Sequence, residues 1–356
     1  MMWPPIIFYS LSTLIFWTLT GYYMFLKCFC CCRCLQESPV DEEGDFSIVV
    51  IAYNAERYLL KKLEELISYK TSRLKEIWIV DDGSDDNSFF IVDKLKDGRL
   101  KKLSLPRGGK SKALNLVRSK ISTDHAVLMD VRQSMAEVDV LKLVNRLSEE
   151  NMGAVSGALC LPGGDKTYWN IEKKIRYYEG LWGRTIGLTG SGCAISCDVW
   201  QQIPDNCLAD DLALGLSVLS QGKKVCLDPE VNIVETLEST YEVELPRKIR
   251  TLSANWQIVF SPFQYSLPKN ILTLLFIVSH KFLRLLLPFM FVAVFVTGYL
   301  MHCDILNDVF CGVLLLSVLS VFPIKSLSPV RQFIYLNIAA LVAFFCWPKY
   351  SKKGYW

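Results

Sequence analysis

Acidic side chains recur in this chain where apolar runs stop. Asp81 and Asp82 close the run 76–80 and open the turn Gly83-Ser84-Asp85-Asp86, and Asp130 closes the run 125–129 ahead of Val131-Arg132. A third run, 47–53, ends in Tyr53-Asn54, and Asp210-Asp211 open a helix-period stretch at 212–219. Between them lies Gly108-Gly109-Lys110-Ser111-Lys112. Carboxylates and amides fixed at strand ends suit the base and ribose of a nucleotide. A carboxylate such as Asp130 is a hard oxygen ligand for Mg2+ or Mn2+, ions that bridge diphosphate oxygens and stabilise a departing diphosphate. Two glycines permit close backbone approach, and Lys110 stands where a helix begins, a favourable place for an anion.

Each feature also has a plainer reading. Residues 84–87 could cap the next helix, and carboxylates at 210 and 211 are favoured by a helix dipole whatever else they do. The Gly-Gly-Lys segment lacks Walker spacing. Arg247-Lys248-Ile249-Arg250 begins a helix that continues through Trp256; its cations could clamp a diphosphate or form a solvated face near anionic lipid. Spacing alone does not choose. With three histidines in the chain, a multi-histidine zinc site is not expected.

The elements that must position these groups follow from periodicity. Runs rich in Val and Ile, separated by helix-period segments, read as buried parallel strands. Residues 55–69 predict a helix with Leu59, Leu60, Leu63, Leu66 and Ile67 on its core face. Residues 87–96, the stretch after Ser111 and residues 138–147 predict further helices, and 101–105 and 153–161 further strands. Repeated right-handed βα units give an α/β fold with a mostly parallel, Rossmann-like sheet. In such sheets ligands bind beyond the carboxyl ends of the strands, so the three acidic strand ends describe one site.

The 51% hydrophobic content of this 356-residue chain is concentrated at its two ends. Residues 5–26 are uncharged and long enough to cross a bilayer; with no basic segment ahead and no small-residue cleavage site after, they predict an anchor over 1–27 rather than a cleaved signal. Residues 285–301, 309–324 and 333–347 are also uncharged and predict a C-terminal membrane region over 285–347. Segment 264–284, whose apolar pattern is broken by Ser279, His280, Lys281 and Arg284, predicts a helix lying in the interface, with a longer tilted span as the alternative. Lys27, Arg33, Lys325 and Arg331 place the central domain, 45–263, in the cytoplasm, whereas four spans would leave the basic tail at 349–353 outside.

The net charge of +3 forms no basic stripe, so nucleic acid is not an expected partner. The cluster Cys28-Phe29-Cys30-Cys31-Cys32-Arg33-Cys34 has no second ligand pair at zinc spacing; it reads as apolar interfacial filler or as an acylation site.

Together and in this order, the motifs resemble the membrane-bound family 2 glycosyltransferases, the group of cellulose, chitin and hyaluronan synthases, with the closer likeness to bacterial exopolysaccharide-type members. The likeness extends over nearly the whole chain and implies a GT-A domain. Val49-Val-Ile-Ala-Tyr-Asn54 resembles the first nucleotide-binding strand, and Asp81-Asp-Gly-Ser84 the turn that holds uridine. Gly109-Lys-Ser-Lys-Ala-Leu-Asn115 resembles the motif after the third strand, and Asp130 the first acid of a metal-binding Asp-x-Asp. Thr189-Gly190-Ser191-Gly192-Cys193-Ala194 resembles an acceptor-side loop. Ala209-Asp210-Asp211 matches the acidic pair whose second member is the general base. The second Asp of Asp-x-Asp is Arg132 here, and the Gln-x-x-Arg-Trp motif of processive synthases is replaced by Arg247-Lys-Ile-Arg-Thr251. Trp256, a turn further on, stands as the acceptor-side candidate.

The resemblance thus implies an inverting, metal-dependent transfer from a nucleotide sugar, with UDP as the expected carrier, to a growing polysaccharide or glycan. The inner membrane is the implied location, as a multi-pass protein. Lys110, Arg247 and Arg250 would steady the diphosphate. Transfer of one sugar to a lipid or polyprenyl phosphate, and a non-catalytic nucleotide-binding subunit, are the competing readings. Three or four spans are few for a polymer channel, so polymer export would call for an oligomer or a partner.

Overall fold

A computed structural model describes residues 3–30, 44–160, 167–235, 241–301 and 328–353. The expected span 309–324, Lys325 and Cys31 to Cys34 lie outside the described residues.

The sheet carries eight strands: β1 (Phe46–Ala52), β2 (Leu74–Asp82), β3 (Leu100–Leu105), β4 (His125–Asp130), β5 (Gln133–Ser134), β6 (Met152–Cys160), β7 (Gly192–Ser196) and β8 (Lys224–Glu235). Their order is β3-β2-β1-β4-β7-β6-β8-β5. Strands β3, β2, β1 and β4 run parallel, as do β6 and β8; β7 is antiparallel to both of its neighbours, and β5 is antiparallel to β8. The sheet is therefore mixed, its parallel half carrying the acidic strand ends. Chain order reverses at β1, which has β2 on one side and β4 on the other. This is the switch point at which an open α/β sheet leaves a crevice. Register makes the convergence concrete: Ala52 pairs with Asp81 and Ile51 with Asp130. Both acids thus stand at one edge, flanking the end of β1 and about 10 Å apart by strand spacing.

Helices α3 (Glu56–Ile67) and α6 (Glu137–Arg146) cover one face, and α5 (Lys110–Arg118), α7 (Thr167–Leu181) and α8 (Asp210–Ser220) the other; α4 (Ser88–Asp93) follows β2. Helix α3 buries Leu59, Leu63 and Leu66 as its period requires, but Leu60 is exposed and Lys62 is buried in its stead. The Lys62 ammonium is satisfied by Glu65 Oε1 at 3.0 Å and the Gln133 carbonyl at 2.8 Å. Binary patterning misses this because a buried lysine needs a partner from a distant turn.

Helices α1 (Trp3–Phe16) and α2 (Tyr22–Phe29), joined by a π-turn at Trp17–Gly21, form one apolar rod at the N-terminus. Helix α9 (Tyr241–Phe260) leaves the sheet domain. Helix α10 (Ile271–Ile277) continues through a second π-turn, Val278–Phe282, into α11 (Leu283–Leu300), and α12 spans Ser328–Lys353. Among the described residues, three stretches are long and apolar enough to cross a membrane: Trp3–Phe29, Ile271–Leu300 and Pro329–Ser351. The expectation of a separate interfacial helix over 264–284 is corrected, because residues 271–284 are the leading turns of one long helix. The polar residues that suggested an interface face inward. His280 Nδ1 lies 2.7 Å from Glu179 Oε1 and its Nε2 2.8 Å from Glu172 Oε1; Arg284 donates to Glu172 Oε2 at 2.6 Å, and Tyr22 OH donates to Glu179 Oε1 at 2.7 Å. The two π-turns meet beside this cluster, where Trp17 Nε1 donates to Ser279 Oγ at 2.9 Å.

Burial opposes the charge of Glu172, but His280, Lys281 and Arg284 outweigh it and hold its carboxyl well below the usual range. A depressed carboxylate stabilises the fold at neutral pH and loses that contribution as pH falls through its folded-state value. His280→Leu, which strips a shared partner from Glu172 and Glu179 and leaves Arg284 and Tyr22 to hold them, is expected to destabilise the chain by up to about 3 kcal/mol. Thermal unfolding of the full chain in detergent measures it, and an unchanged midpoint would show the cluster to be inert.

The apolar ends share a core with the sheet domain. Tyr22 and Leu26 of α2 and Phe276 and Ile277 of α10 belong to the same buried cluster as Leu114, Leu188 and Ile195. At the other end of the chain, Ser351 of α12 meets Gln257 of α9. The end of α12 therefore lies against α9.

Candidate active site

The nucleotide end is built by interlocked turns. Asn54, in the left-handed region at φ 47°, donates its N–H to Ser84 Oγ at 2.9 Å and accepts from Asp85 N at 2.9 Å through its side chain. Asparagine tolerates that backbone better than most residues. Asp81 accepts from the Ser84 amide and hydroxyl. Gly83 adopts φ 73°, and a Cβ there would stand 2.6 Å from Arg107 N, so only glycine fits between the two turns.

Asp82 is spent differently from the expected nucleotide contact. At 2% exposure it accepts from Gly108 N at 2.8 Å, Gly109 N at 3.0 Å and Arg107 Nη1 at 2.6 Å. Both oxygens are occupied in shaping the Gly-Gly turn, so Asp82 is corrected from a ligand contact to the brace of the loop that presents Lys110. Arg107 escaped the sequence reading. Its guanidinium lies 3.3 Å from the centroid of the half-exposed Tyr53 ring, making a flat cationic and aromatic wall beside Asp81. The signal was the Pro106-Arg107 step ahead of the two glycines, overshadowed by Lys110.

Lys110 is the centre of the site. Its ammonium lies 2.9 Å from Asp130 Oδ1, 3.3 Å from Asp210 Oδ2 and 3.3 Å from the Gly190 carbonyl. One side chain therefore ties the end of β4, the head of α8 and the loop before β7. Burial works against its charge, but Asp130 and Asp210 more than compensate and raise its pKa. Asp210 is also raised: burial comes first, and Asp211 and Asp130 add to it, against the opposing pull of Lys110. Arg250 feels the same three carboxylates, yet burial dominates and pushes its guanidinium down to about 10. Arg247 is exposed and near enough to act on Arg250. Sequence spacing left these two arginines undecided; the structure puts Arg250 with the acids.

Asp211 heads α8 with Oδ1 accepting from Leu212 N at 2.8 Å, and its carbonyl accepts from Leu188 N at 3.0 Å. Its other oxygen faces the bare α-carbon of Gly190, where an added Cβ would come within 3.4 Å. Of the acceptor-side loop, Gly190 is partly open, whereas Ser191 and Gly192 are buried. A Cβ on Gly192 would stand 2.5 Å from Met135 Cε, so that glycine answers to sheet packing. Trp256 is corrected outright. It is 3% exposed, with its ring centroid 5.4 Å from Phe260, 5.2 Å from Phe344 and 6.3 Å from Phe289. It joins helices and offers no face to a sugar.

Among the described residues, no three His, Cys, Asp or Glu side chains form a cage for an ion. Mg2+ and Mn2+ commonly take one or two carboxylates and complete their shell with substrate phosphates and water. Asp130 meets that requirement: its side chain is 38% exposed, and only Oδ1 is engaged by Lys110. Arg132, exposed at the end of β4, supplies no second ligand.

Comparison with known proteins agrees with this architecture. Residues 47–198 match the model of glycosyl transferase family 2. A beta-monoglucosyldiacylglycerol synthase of Trichormus variabilis is 27% identical over 191 residues, covering 47% of this chain and 40% of the relative. The glycosyltransferase GlyG of Streptococcus pneumoniae is 31% identical over 114 residues, covering 31% of this chain and 38% of the relative. The chain thus spans about 40% of the length of these curated relatives. Among solved structures, the mannosyltransferase PcManGT of Pyrobaculum calidifontis, in complex with GDP-Man and Mn2+, superposes with a TM-score of 0.77 at 18% identity over 96% of this chain and 98% of that one. That likeness covers the apolar helices as well as the sheet and establishes the fold. The structure is therefore a GT-A fold, with the segment that matches glycosyl transferase family 2, residues 47–198, lying between apolar helices.

Proposed function

We propose that the chain transfers a sugar from a nucleoside diphosphate sugar, with inversion, to an acceptor held at a membrane surface. The observation that carries this reading is the Lys110 ammonium drawn between Asp130 and Asp210, with Asp211 adjoining, at the sheet edge where Asp81 stands one residue from the end of β2. Asp81, Tyr53 and Arg107 would receive the nucleoside, a uridine on the family resemblance. Lys110 and Arg250 would face the diphosphate.

In the reaction, the acceptor oxygen forms a bond to the anomeric carbon as the bond from that carbon to the diphosphate breaks. The acceptor proton passes to Asp211, and the bonding pair leaves with the diphosphate. Lys110 and Arg250 are fixed in place before charge develops, so they stabilise it without reorganising. Asp210 holds Lys110 in that position. A divalent ion on Asp130 would add Lewis-acid stabilisation of the phosphate oxygens. Asp130→Ala is expected to abolish the Mn2+-dependent part of nucleotide-sugar binding; calorimetry with an unchanged Mn2+ effect would remove Asp130 as the ligand.

We further propose that the acceptor is borne by a lipid and receives one sugar. Helix α9 carries Arg250 at the site and, six residues on, Trp256 packed against α11 and α12, so the acids stand close to the membrane frame. With Trp256 enclosed, the tryptophan platform of processive synthases has no counterpart in α9, which weighs against chain growth. The name of the Trichormus relative, a glucosyl lipid synthase, is in keeping. The test is to supply radiolabelled nucleotide sugars to the full chain in native membranes. A single organic-soluble product is expected. A ladder of products would establish chain growth, and no transfer from any donor would overturn the enzyme reading.

A further inference from the structure

Helix α9 continues past Arg250 to Gln257, whose amide is 1% exposed and bonded on three sides. Its Oε1 accepts from Leu208 N at 3.1 Å, and its Nε2 donates to Asn206 O at 2.9 Å and to Ser351 Oγ of α12 at 3.0 Å. The segment it holds, residues 203–209, runs directly into Asp210 and Asp211. The same segment is also held by α5. Ser111 Oγ donates to Cys207 O at 2.7 Å, and Asn115 bonds both the N–H and carbonyl of Ile203, at 3.0 and 2.7 Å. Ser111 adjoins Lys110. The strap that carries the two acids is therefore clamped between the helix that carries the lysine and a joint formed by α9 and α12.

We propose that Gln257 is a positioning residue for Asp210 and Asp211, transmitting the seating of the C-terminal apolar helix to the acids through the 203–209 strap. An amide suits this role because it offers an acceptor to one backbone N–H and donors to a carbonyl and a hydroxyl, a combination no acidic or apolar side chain reproduces. Buried groups so bonded cannot shift singly, because each lost partner leaves an unsatisfied polar atom. When Ser351 moves, Asn206 and Leu208 lose their common reference, and the acid pair follows. A displacement of about 1 Å at a reacting group costs up to about 10²-fold in rate.

The proposal rests on the transferase reading, and its test has a readout independent of turnover. Cys207, inside the strap, is 4% exposed, and burial pushes its thiol up to about 12. In the full-length chain, Q257L and S351V are expected to accelerate maleimide labelling of Cys207, followed by peptide mass spectrometry, by about tenfold or more, as local opening should. They are expected to lower kcat by about tenfold or more and, through Asp210 and Lys110, to raise donor KM by a smaller factor, the pattern of lost transition-state geometry. Q257E, which keeps the acceptor and loses both donors, should fall between. Unchanged Cys207 labelling with unchanged kcat would overturn the assignment, as would a parallel collapse of kcat, donor affinity and thermal midpoint. If the wild type transferred no sugar yet Q257L still exposed Cys207, the transferase reading would fail and the strap's dependence on Gln257 would stand.

Discussion

Asp211→Asn is expected to lower sugar transfer by about 10²-fold or more, the usual weight of a general base, with the nucleoside diphosphate binding as before. Asp211 lies at the N-terminus of α8, with one oxygen tied to Leu212 N and the other toward Gly190, while Asp210 is committed to Lys110. Asparagine fits the same space and can accept the same Leu212 hydrogen bond through its Oδ1, so the helix start is preserved. What disappears is the ability to take a proton. Single-turnover rates beside nucleotide calorimetry separate these effects, and transfer at the wild-type rate would remove Asp211 as the base. Asp210→Asn is expected to behave differently, loosening Lys110 and weakening donor binding as well as rate.

Lys110→Met is the second large effect. The methionine keeps the stem and removes the charge, leaving Asp130, Asp210 and Asp211 without their shared cation. Transfer is expected to fall by about 10²–10³-fold, as when one preorganised donor to a developing charge is deleted. Stability also falls, with a sign that pH reveals. Asp210 is already raised by burial and by neighbouring acids, and removal of Lys110 raises it further. A carboxyl raised in the folded state is tolerated while it is protonated and costs stability as pH rises through its folded value. The deficit of Lys110→Met should therefore be smallest in acid and grow toward neutrality. A pH-independent loss in thermal midpoint would show that packing, not charge, dominates.

The parallel half of the fold was legible because buried parallel strands are apolar along their whole length, so their polar terminators stand out. Asp81 and Asp130 were found in this way, and the β1 register brings them to one edge. Asp210 and Lys110 were found as helix starts, although nothing in their spacing announced that they touch. The rest depended on partners remote in sequence. Asp82 looked like a second ligand until Gly108 and Gly109 claimed its oxygens. His280, Lys281 and Arg284 looked interfacial because Glu172 and Glu179 stand about a hundred positions away. Trp256 failed as an acceptor platform for a similar reason: an aromatic on a helix reads the same whether it faces a sugar or Phe344. Antiparallel β7 was missed because its start is hidden in the Gly-Ser-Gly loop, where composition suggests a turn rather than a strand.

The common interior of Tyr22, Leu26, Phe276 and Ile277 with the sheet domain makes the apolar rods a wall of that domain rather than a tether. A chain trimmed of both rods would present a raw hydrophobic scar to water and would aggregate before it could be assayed. For the intact chain in detergent or lipid, the amphiphile would press on the same wall, so its choice is expected to act as a kinetic variable rather than a matter of handling.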